Sequence, residues 1–377
     1  MNIKILHVIP RLSFTGGIEN YVRTLCLHSS PDDYDITICT FLDKCTTEIM
    51  EELSNKGINI IQLKKSWFEK VDNRLLRFFL KNSFFAYFNK LLYLKKILND
   101  EKYNLVIAHG EDSELITAFT SSVVKKINVI HGESYFPVNP FYRFLLYSFA
   151  RKRYDFTIVV NERLTIIPEK LGVKYAIVKP GINLERFNSA KHQIDLQDGS
   201  VKIGFIGRVV KEKGVFELLE AYKLLKQKYR NVQLKIAGDG KALIPLQRKV
   251  KEFELTNDIK FYGEVLSPEL FYREIDILVL PSFTEGLPIT ILEALASCVI
   301  IIASNVGGIT EVIKNEDNGL LLKSCKPEVI ANAVENLIIN PVLCKEIVNN
   351  ANETVKEYSD KKLNKEFYST ISILSKN

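Results

Sequence analysis

Two carboxylates, Glu285 and Glu293, lie eight residues apart in the segment FTEGLPITILEALA. Pro288 is typical of a first helical turn, so we predict a helix that begins there, with Glu293 about five residues inside, roughly 7–8 Å along the axis. At this spacing the carboxylates cannot share a proton, but each can accept hydrogen bonds from different hydroxyls of one extended ligand. The structural alternative is an acidic helix start and an exposed helix face, although the apolar neighbours of Glu293 favour burial with a partner.

Two cations follow a predicted strand in the segment FIGRVVKEKG. Arg208 and Lys213 come next to backbone amides, where the guanidinium can grip phosphate oxygens bidentately and the ammonium adds a point charge. The pair is a candidate for neutralising a diphosphate. The alternative is a solvated loop, because Lys211, Glu212 and Lys213 alternate in charge.

Two adjacent glycines, Gly16 and Gly17, follow the first predicted strand in the segment SFTGGIENYV. They let a ligand approach the backbone closely, beside the free N–H groups that open the next helix, so they are a candidate phosphate or sugar cradle. Taken alone, the two glycines favour the alternative of an ordinary strand-to-helix turn. Because the G-x-G-x-x-G fingerprint does not occur here, we predict no dinucleotide cofactor, and we expect no other cofactor.

Length and composition set the class of protein. A chain of 377 residues with 46% hydrophobic side chains predicts two domains. The net charge of +6 is modest, so we expect no nucleic-acid partner, although an anionic substrate or membrane surface would suit it. The six cysteines show no C-x-x-C or metal-ligand spacing, so neither a disulfide framework nor a metal site is predicted. Without an apolar stretch of about 20 residues or a signal peptide, we expect a cytoplasmic protein.

Short β-branched runs alternate with helical segments along the whole chain, which is typical of α/β architecture with buried parallel strands. The polar segment 188–200 interrupts this alternation and is predicted to be a linker. We therefore expect two doubly wound domains, over residues 1–185 and 200–356. A C-terminal helix over 357–377 is expected to pack back onto the first domain.

The segment FTEGLPITILE resembles the E-x7-E motif of the retaining glycosyltransferases of the large sucrose-synthase-like family four. Further segments resemble the family's other motifs in order: FTGGIE, VIHGE, KPGINLERF, GRVVKEKG, GDG and ASNVGGITEVI. The resemblance covers nearly the whole chain. It departs at Pro180–Gly181, which lacks the usual intervening asparagine, and at Asn161, where the family commonly has serine.

The resemblance implies a GT-B fold, in which two Rossmann-like doubly wound domains face each other across an interdomain cleft. It implies that Arg208 and Lys213 hold the diphosphate of a nucleotide-sugar donor, and that Gly17, with Gly16 before it, contacts a donor phosphate from the other domain. The donor is expected to be a UDP-sugar carrying a hexose or N-acetylhexosamine. The acceptor is expected to be a hydroxyl of a glycan or lipid-linked glycan, as in bacterial capsule or lipopolysaccharide synthesis.

The resemblance also assigns roles within the donor. Glu293 would accept hydrogen bonds from the ribose hydroxyls. Glu285 would contact hydroxyls of the transferred sugar, helped by the amides around Gly286 and Leu287. The base is expected near Gly263 to Val265, largely against backbone.

Two histidines end predicted strands. His131, in VIHGE, would by resemblance lie near the sugar and the acceptor, whereas His109, in VIAHG, is interpreted as structural. Retention without a protein nucleophile implies that the leaving diphosphate assists attack by the acceptor, with cations and helix amides stabilising its charge and no metal needed. A metal at Asp33–Tyr34–Asp35 remains an alternative to a solvated turn. Rival functions are another GT-B enzyme, such as an epimerase or phosphorylase, and a catalytically silent binding protein.

Residues 64–96 combine nine lysines or arginines with many aromatic residues. This composition suits an amphipathic segment on an anionic membrane surface, which would make the protein peripheral on the inner face of the cytoplasmic membrane. The alternative is a helix pair whose aromatic residues belong to the core.

Overall fold

The computed structural model describes residues 2–12, 17–41, 47–62, 84–120, 123–132, 140–188 and 200–376. The chain forms two compact units. The first, here called the amino-terminal unit, comprises Met1–Ser13, Ile18–Lys179 and Asn364–Asn377. The second, the carboxyl-terminal unit, comprises Phe14–Gly17 and Pro180–Leu363.

Each unit is built on one parallel sheet, so the predicted pair of doubly wound domains is confirmed. The amino-terminal strands are β1 (Ile3–Ile9), β2 (Tyr34–Thr40), β3 (Asn59–Gln62), β4 (Leu105–His109), β5 (Lys125–Ile130), β6 (Phe156–Val159) and β7 (Tyr175–Ile177), in the order 3-2-1-4-5-6-7. The carboxyl-terminal strands are β8 (Val201–Ile206), β9 (Val232–Ala237), β10 (Ile259–Gly263), β11 (Ile277–Leu280), β12 (Ile300–Ser304) and β13 (Leu320–Leu322), in the order 10-9-8-11-12-13.

Helices alternate with these strands in both units. They are α1 (Gly17–Leu27), α2 (Thr47–Ser54), α3 (Phe84–Asp100), α4 (Glu111–Phe119), α5 (Pro140–Arg151), α6 (Ile166–Leu171), α7 (Leu184–Asn188), α8 (Val215–Lys228), α9 (Leu243–Glu252), α10 (Pro268–Tyr272), α11 (Ile289–Ala296), α12 (Ile309–Val312), α13 (Pro327–Ile339), α14 (Pro341–Val355) and α15 (Asp360–Lys376). Within the described ranges, no helix is both long and apolar enough to cross a membrane.

The strands read as apolar runs because both of their faces are covered. All five residues of β4, all four of β11 and all five of β12 are buried. In each sheet the strand order reverses once, between β1 and β4 and between β8 and β11. A doubly wound sheet opens its ligand crevice outside the carboxyl ends of the strands at that reversal.

The division between the units differs from the ends expected at 185 and 356, because the carboxyl-terminal unit begins at Pro180 and runs to Leu363. Two backbone hydrogen bonds account for this. The Ile182 N–H donates to Tyr358 O at 2.9 Å, and the Asp360 N–H donates to Ile182 O at 2.9 Å. This pairing joins segments 176 or more positions apart in sequence, so neither local pattern indicated it.

The last helix belongs to both units, since α15 starts in the carboxyl-terminal unit and its residues from Asn364 onward belong to the amino-terminal unit. There the Tyr368 hydroxyl donates to Leu25 O at 3.0 Å, and Lys125 Nζ donates to Leu374 O at 2.7 Å.

Candidate active site

The carboxyl ends of β8 and β11 carry two loops that contact each other. The loop after β8 contains Arg208 and a 3-10 turn over Lys211–Lys213, and the loop after β11 contains Glu285. The Phe283 N–H donates to Glu212 O at 2.9 Å and ties the two loops together. The strand reversal thus brings the predicted cations and the first predicted carboxylate to one crevice of the carboxyl-terminal unit.

Lys213 and Glu285 form an ion pair in which Nζ lies 2.5 Å from Oε1. Their side chains are 20% and 8% exposed. Separate ligand partners were predicted for these residues from the sequence, whereas their pairing was not. Arg208 is exposed, and no described residue binds its guanidinium. The described part of the crevice therefore holds a neutralised pair and an exposed guanidinium.

Two glycines let the supporting loops pack closely. Gly214 has φ +68°, and a β-carbon there would lie 2.0 Å from Pro281 O. Gly307, in the loop after β12, has φ +56°, and its β-carbon would lie 1.8 Å from Glu285 O. The next residue, Gly308, donates its N–H to Gly286 O at 2.6 Å. A side chain at Gly307 would displace the backbone of Glu285, and one at Gly214 would displace the backbone of Pro281 in the same loop.

The helix α11 begins at Ile289 with Pro288 as its N-cap residue, within one residue of the predicted start. Its N-cap side chain makes no capping hydrogen bond. The Ile291 N–H donates to Pro288 O at 3.1 Å, so the N–H groups before it are the ones left toward the loop that holds Gly286 and Leu287. The positive end of the helix dipole and the free amide N–H groups favour the binding of an anion at this end of α11.

Glu293 is buried within α11, with 6% exposure, as its apolar neighbours predicted. The Tyr272 hydroxyl, at the end of α10, lies 2.9 Å from Glu293 Oε2 and 3.1 Å from Thr290 O. Burial, together with the adjacent carboxylate, raises the pKa of Tyr272 well above its usual value, so the phenol stays a donor. Tyr272 was not predicted from the sequence, although a buried carboxylate needs a donor and so indicated that such a residue had to exist.

The remaining predicted donor-site residues are dispersed along the chain. Gly263 ends β10, has φ +67°, and accepts the Gly238 N–H at 2.6 Å, while Val265 is half-buried in the next loop. Leu287 is buried at 8% exposure. Gly17 opens α1, and Gly16 lies outside the described residues.

His131 follows β5 and is partly exposed. Its Nε2 lies 3.2 Å from Nδ1 of His109, whose Nε2 lies 2.9 Å from Nδ1 of His7. Burial lowers the pKa of His7 and His131 to about 3 and that of His109 well below its usual value. His7, in the middle of β1, was not singled out from the sequence.

Among the described residues, no group of three or more His, Cys, Asp or Glu side chains is placed to hold a metal ion. In the predicted D-x-D segment, Tyr34 and Asp35 begin β2, and Asp35 Oδ2 lies 4.0 Å from Lys4 Nζ.

Several known glycosyltransferases are similar to this chain. Residues 187–354 match the family Glycosyl transferases group 1. An uncharacterized glycosyltransferase of Methanocaldococcus jannaschii is 32% identical over 197 residues, which span half of this chain and half of that protein. The GalNAc-α-(1→4)-GalNAc-α-(1→3)-diNAcBac-PP-undecaprenol α-1,4-N-acetyl-D-galactosaminyltransferase of Campylobacter jejuni is 27% identical over 98% of each chain. The crystal structure of Anabaena HepE in complex with UDP has a TM-score of 0.75 at 16% identity, covering 98% of this chain and 100% of HepE.

Proposed function

We propose that this chain, whose residues 187–354 match the family Glycosyl transferases group 1, is a glycosyltransferase that transfers a hexose or N-acetylhexosamine from a UDP-sugar to a hydroxyl of a glycan or lipid-linked glycan. The observation that carries the proposal is the Lys213–Glu285 pair beside the exposed Arg208, at the strand reversal of the carboxyl-terminal unit. The UDP bound to HepE and the undecaprenol-linked acceptor in the name of the Campylobacter relative support the choice of donor and acceptor.

The donor diphosphate binds to the cations of this crevice. Arg208 binds its oxygens bidentately, and Lys213, already 2.5 Å from Glu285, turns its remaining N–H donors to the phosphate. The uncapped N-terminus of α11 adds amides to the same anion. Glu285 is then released in part to accept hydrogen bonds from the sugar hydroxyls, and Glu293 accepts from the ribose.

The reaction retains the anomeric configuration. The acceptor oxygen attacks the anomeric carbon on the face that the leaving diphosphate vacates, and its proton passes to a phosphate oxygen. Negative charge that develops on the diphosphate is stabilised by cations and amides fixed beforehand, which is the term that usually dominates such catalysis. These groups belong to the protein, so we propose that no divalent metal is needed. His131 contacts the sugar and the acceptor.

The donor is identified by thermal shift with UDP, other nucleoside diphosphates and a panel of nucleotide sugars. We expect UDP and one UDP-sugar to stabilise the protein, by roughly 2.7 kcal/mol at 100 times the dissociation constant. Transfer from that UDP-sugar to a lipid-linked glycan is then followed in EDTA. A glycosylated acceptor formed at an undiminished rate is the expected result.

Other outcomes identify the rival functions. Free epimerised sugar nucleotide would indicate an epimerase, and a sugar phosphate formed from a glycan and phosphate would indicate a phosphorylase. Binding without any turnover would indicate a catalytically silent protein. Loss of transfer in EDTA that Mg²⁺ or Mn²⁺ restores would contradict the metal-free mechanism.

We further propose that the amino-terminal unit binds an anionic membrane surface, which would bring it to a lipid-linked acceptor. The predicted segment 64–96 lies outside the described residues up to 83, and its remainder belongs to α3. Leu94, Ile97 and Leu98 of α3 pack in the core, so the core alternative holds for that face. The opposite face exposes Phe88 and Leu92, which are 46% and 47% exposed.

Basic residues accompany this exposed face. Lys95 and Lys96 of α3 are exposed, and α5, which packs with α3 against α4, exposes Phe149 at 57% and is followed by the exposed Lys152. Apolar burial and attraction to anionic lipid would therefore add on the same surface.

Co-sedimentation with vesicles of about 30% anionic lipid tests the membrane proposal. We expect binding at low salt that weakens at 0.5 M salt, where the Debye length is only a few ångströms. Phe88→Ser with Leu92→Ser should reduce binding, as should Lys95→Ser with Lys96→Ser. Ile244→Ser, which changes a residue 62% exposed on the carboxyl-terminal unit, is the matched control. Equal binding by all variants, or none by the parent protein, would contradict the proposal.

A further inference from the structure

Three histidines lie in a diagonal row on one face of the amino-terminal sheet. In the parallel register His7 of β1 pairs with Ile107 of β4, and His109 of β4 pairs with Val129 of β5. His109 thus lies two residues after Ile107 on β4, and His131 lies two residues after Val129, just past the end of β5. Because side chains alternate with a period of two, all three project from the same face of the sheet.

The row is continuous and sealed along most of its length. The ring centroids of His7 and His109 are 5.2 Å apart, and those of His109 and His131 are 5.4 Å apart. Phe367 of α15 stacks on His7 at 6.2 Å, and Tyr21 of α1 meets the edge of His131 at 4.9 Å. His7 and His109 have no exposed surface.

Each contact in the row joins two ring nitrogens, so each needs one N–H donor and one acceptor. A neutral imidazole carries a single N–H, and the proton of His109 can therefore serve only one of its two neighbours. Two arrangements satisfy both contacts. In one, every donor points from His7 toward His131; in the other, every donor points from His131 toward His7.

The closed end of the row selects between these arrangements. His7 Nε2 is buried, and no described residue makes a hydrogen bond to it. If the donors pointed inward, this atom would carry an N–H with no acceptor, a state that folded proteins rarely tolerate. If the donors point outward, the atom keeps only a lone pair, which costs less. His131, at the other end, is only partly buried, so this end of the row is open to a ligand.

We propose that His7 and His109 are positioning residues that hold His131 as the Nδ1–H tautomer, with its Nε2 occupied by the N–H of His109. His131 therefore donates a hydrogen bond through Nδ1 to an oxygen of its ligand and does not act as a general base. The identity of that oxygen, on the sugar or the acceptor, rests on the proposed function, whereas the tautomer does not.

The surroundings keep the row neutral. Among the described residues, the titratable group in ring contact with the row is the Tyr21 phenol on α1, on which the Glu366 carboxylate of α15 acts in turn. Burial lowers the pKa of His7 and His131 to about 3, so none of the three rings gains a proton between pH 6 and 8, and the tautomer persists over that range.

Imidazole ¹⁵N spectra of the full chain, labelled selectively at histidine, test the proposal without any substrate. The chain has five histidines, so one substitution each assigns the signals. We expect His131 to show a protonated Nδ1 and an unprotonated Nε2 from pH 6 to 8. A protonated Nε2 with a bare Nδ1, or an imidazolium in this range, would overturn the proposal.

Two variants of His109 test whether the row sets the tautomer. His109→Leu removes the donor, and we expect the His131 signals to shift to a mixture of both tautomers. His109→Asn places an amide N–H near the former Nδ1 position and should restore the parent spectrum. An unchanged His131 in His109→Leu would show that the row does not act on it. If His109→Leu does not fold, the parent spectrum still decides the direction, and absence of transferase activity would leave each of these results intact.

Discussion

Replacing Arg208 by alanine is expected to lower kcat/KM by about 2–4 kcal/mol, roughly 30- to 900-fold, without lowering the stability of the fold. The guanidinium is exposed and no described residue binds it, so its removal breaks no contact that holds the folded chain. Its proposed partner is the diphosphate, on which negative charge grows in the transition state. Steady-state kinetics with the UDP-sugar, together with thermal unfolding, measure both parts of the prediction.

Lys213→Ala should give a similar loss of kcat/KM, again about 2–4 kcal/mol, but with a loss of stability as well. It leaves the Glu285 carboxylate, 8% exposed, without the ammonium that now lies 2.5 Å away. An uncompensated carboxylate in such a place is costly.

Lys211→Ala is the matched control, because Lys211 is an exposed cation in the same 3-10 turn. It should change kcat/KM by little. If Lys211→Ala and Arg208→Ala had equal effects, the loop would act only through its general charge. Full activity of Arg208→Ala would remove this residue from the donor site.

The second large expected effect, on ligand affinity, distinguishes the roles of Glu285 and Glu293. Glu293→Ala should weaken the binding of UDP and of the intact UDP-sugar by roughly 1.5–3 kcal/mol each, the value of a hydrogen bond to a charged group. Glu285→Ala should leave UDP affinity at least as strong as in the parent, because it frees Lys213 for the phosphate. Glu285→Ala should instead weaken the affinity for the intact donor and lower kcat. Calorimetric titration with UDP and with the UDP-sugar distinguishes these patterns.

Tyr272→Phe separates a ligand role of Glu293 from a structural one. If Glu293 serves only as the partner of the Tyr272 hydroxyl at 2.9 Å, Tyr272→Phe and Glu293→Ala should lower stability alike and leave UDP affinity unchanged. If Glu293 binds ribose, Glu293→Ala should weaken UDP binding much more than Tyr272→Phe does. Equal losses of UDP affinity in Glu285→Ala and Glu293→Ala would contradict the division of roles.

Sequence patterns confined to a few neighbouring residues determined the strands, the start of α11 and the location of the candidate site. Apolar β-branched runs predicted the strands, and their alternation with helical segments predicted two doubly wound sheets, because periodicity and turn chemistry act over one or two turns of chain. Pro288 located the start of α11 to within one residue for the same reason. Carboxylates and cations placed just after predicted strands indicated the site, since parallel strands deliver such loops to one edge of a sheet.

The partners of these side chains were decided by the tertiary structure alone. Lys213 meets Glu285 across 72 positions, and Glu293 meets Tyr272 across 21. Both pairs depend on which strands are neighbours and how far the loops extend. The row of His7, His109 and His131 depends in addition on the register of three parallel strands. A shift of one residue would turn each ring to the opposite face, and no local pattern in the sequence fixes that register.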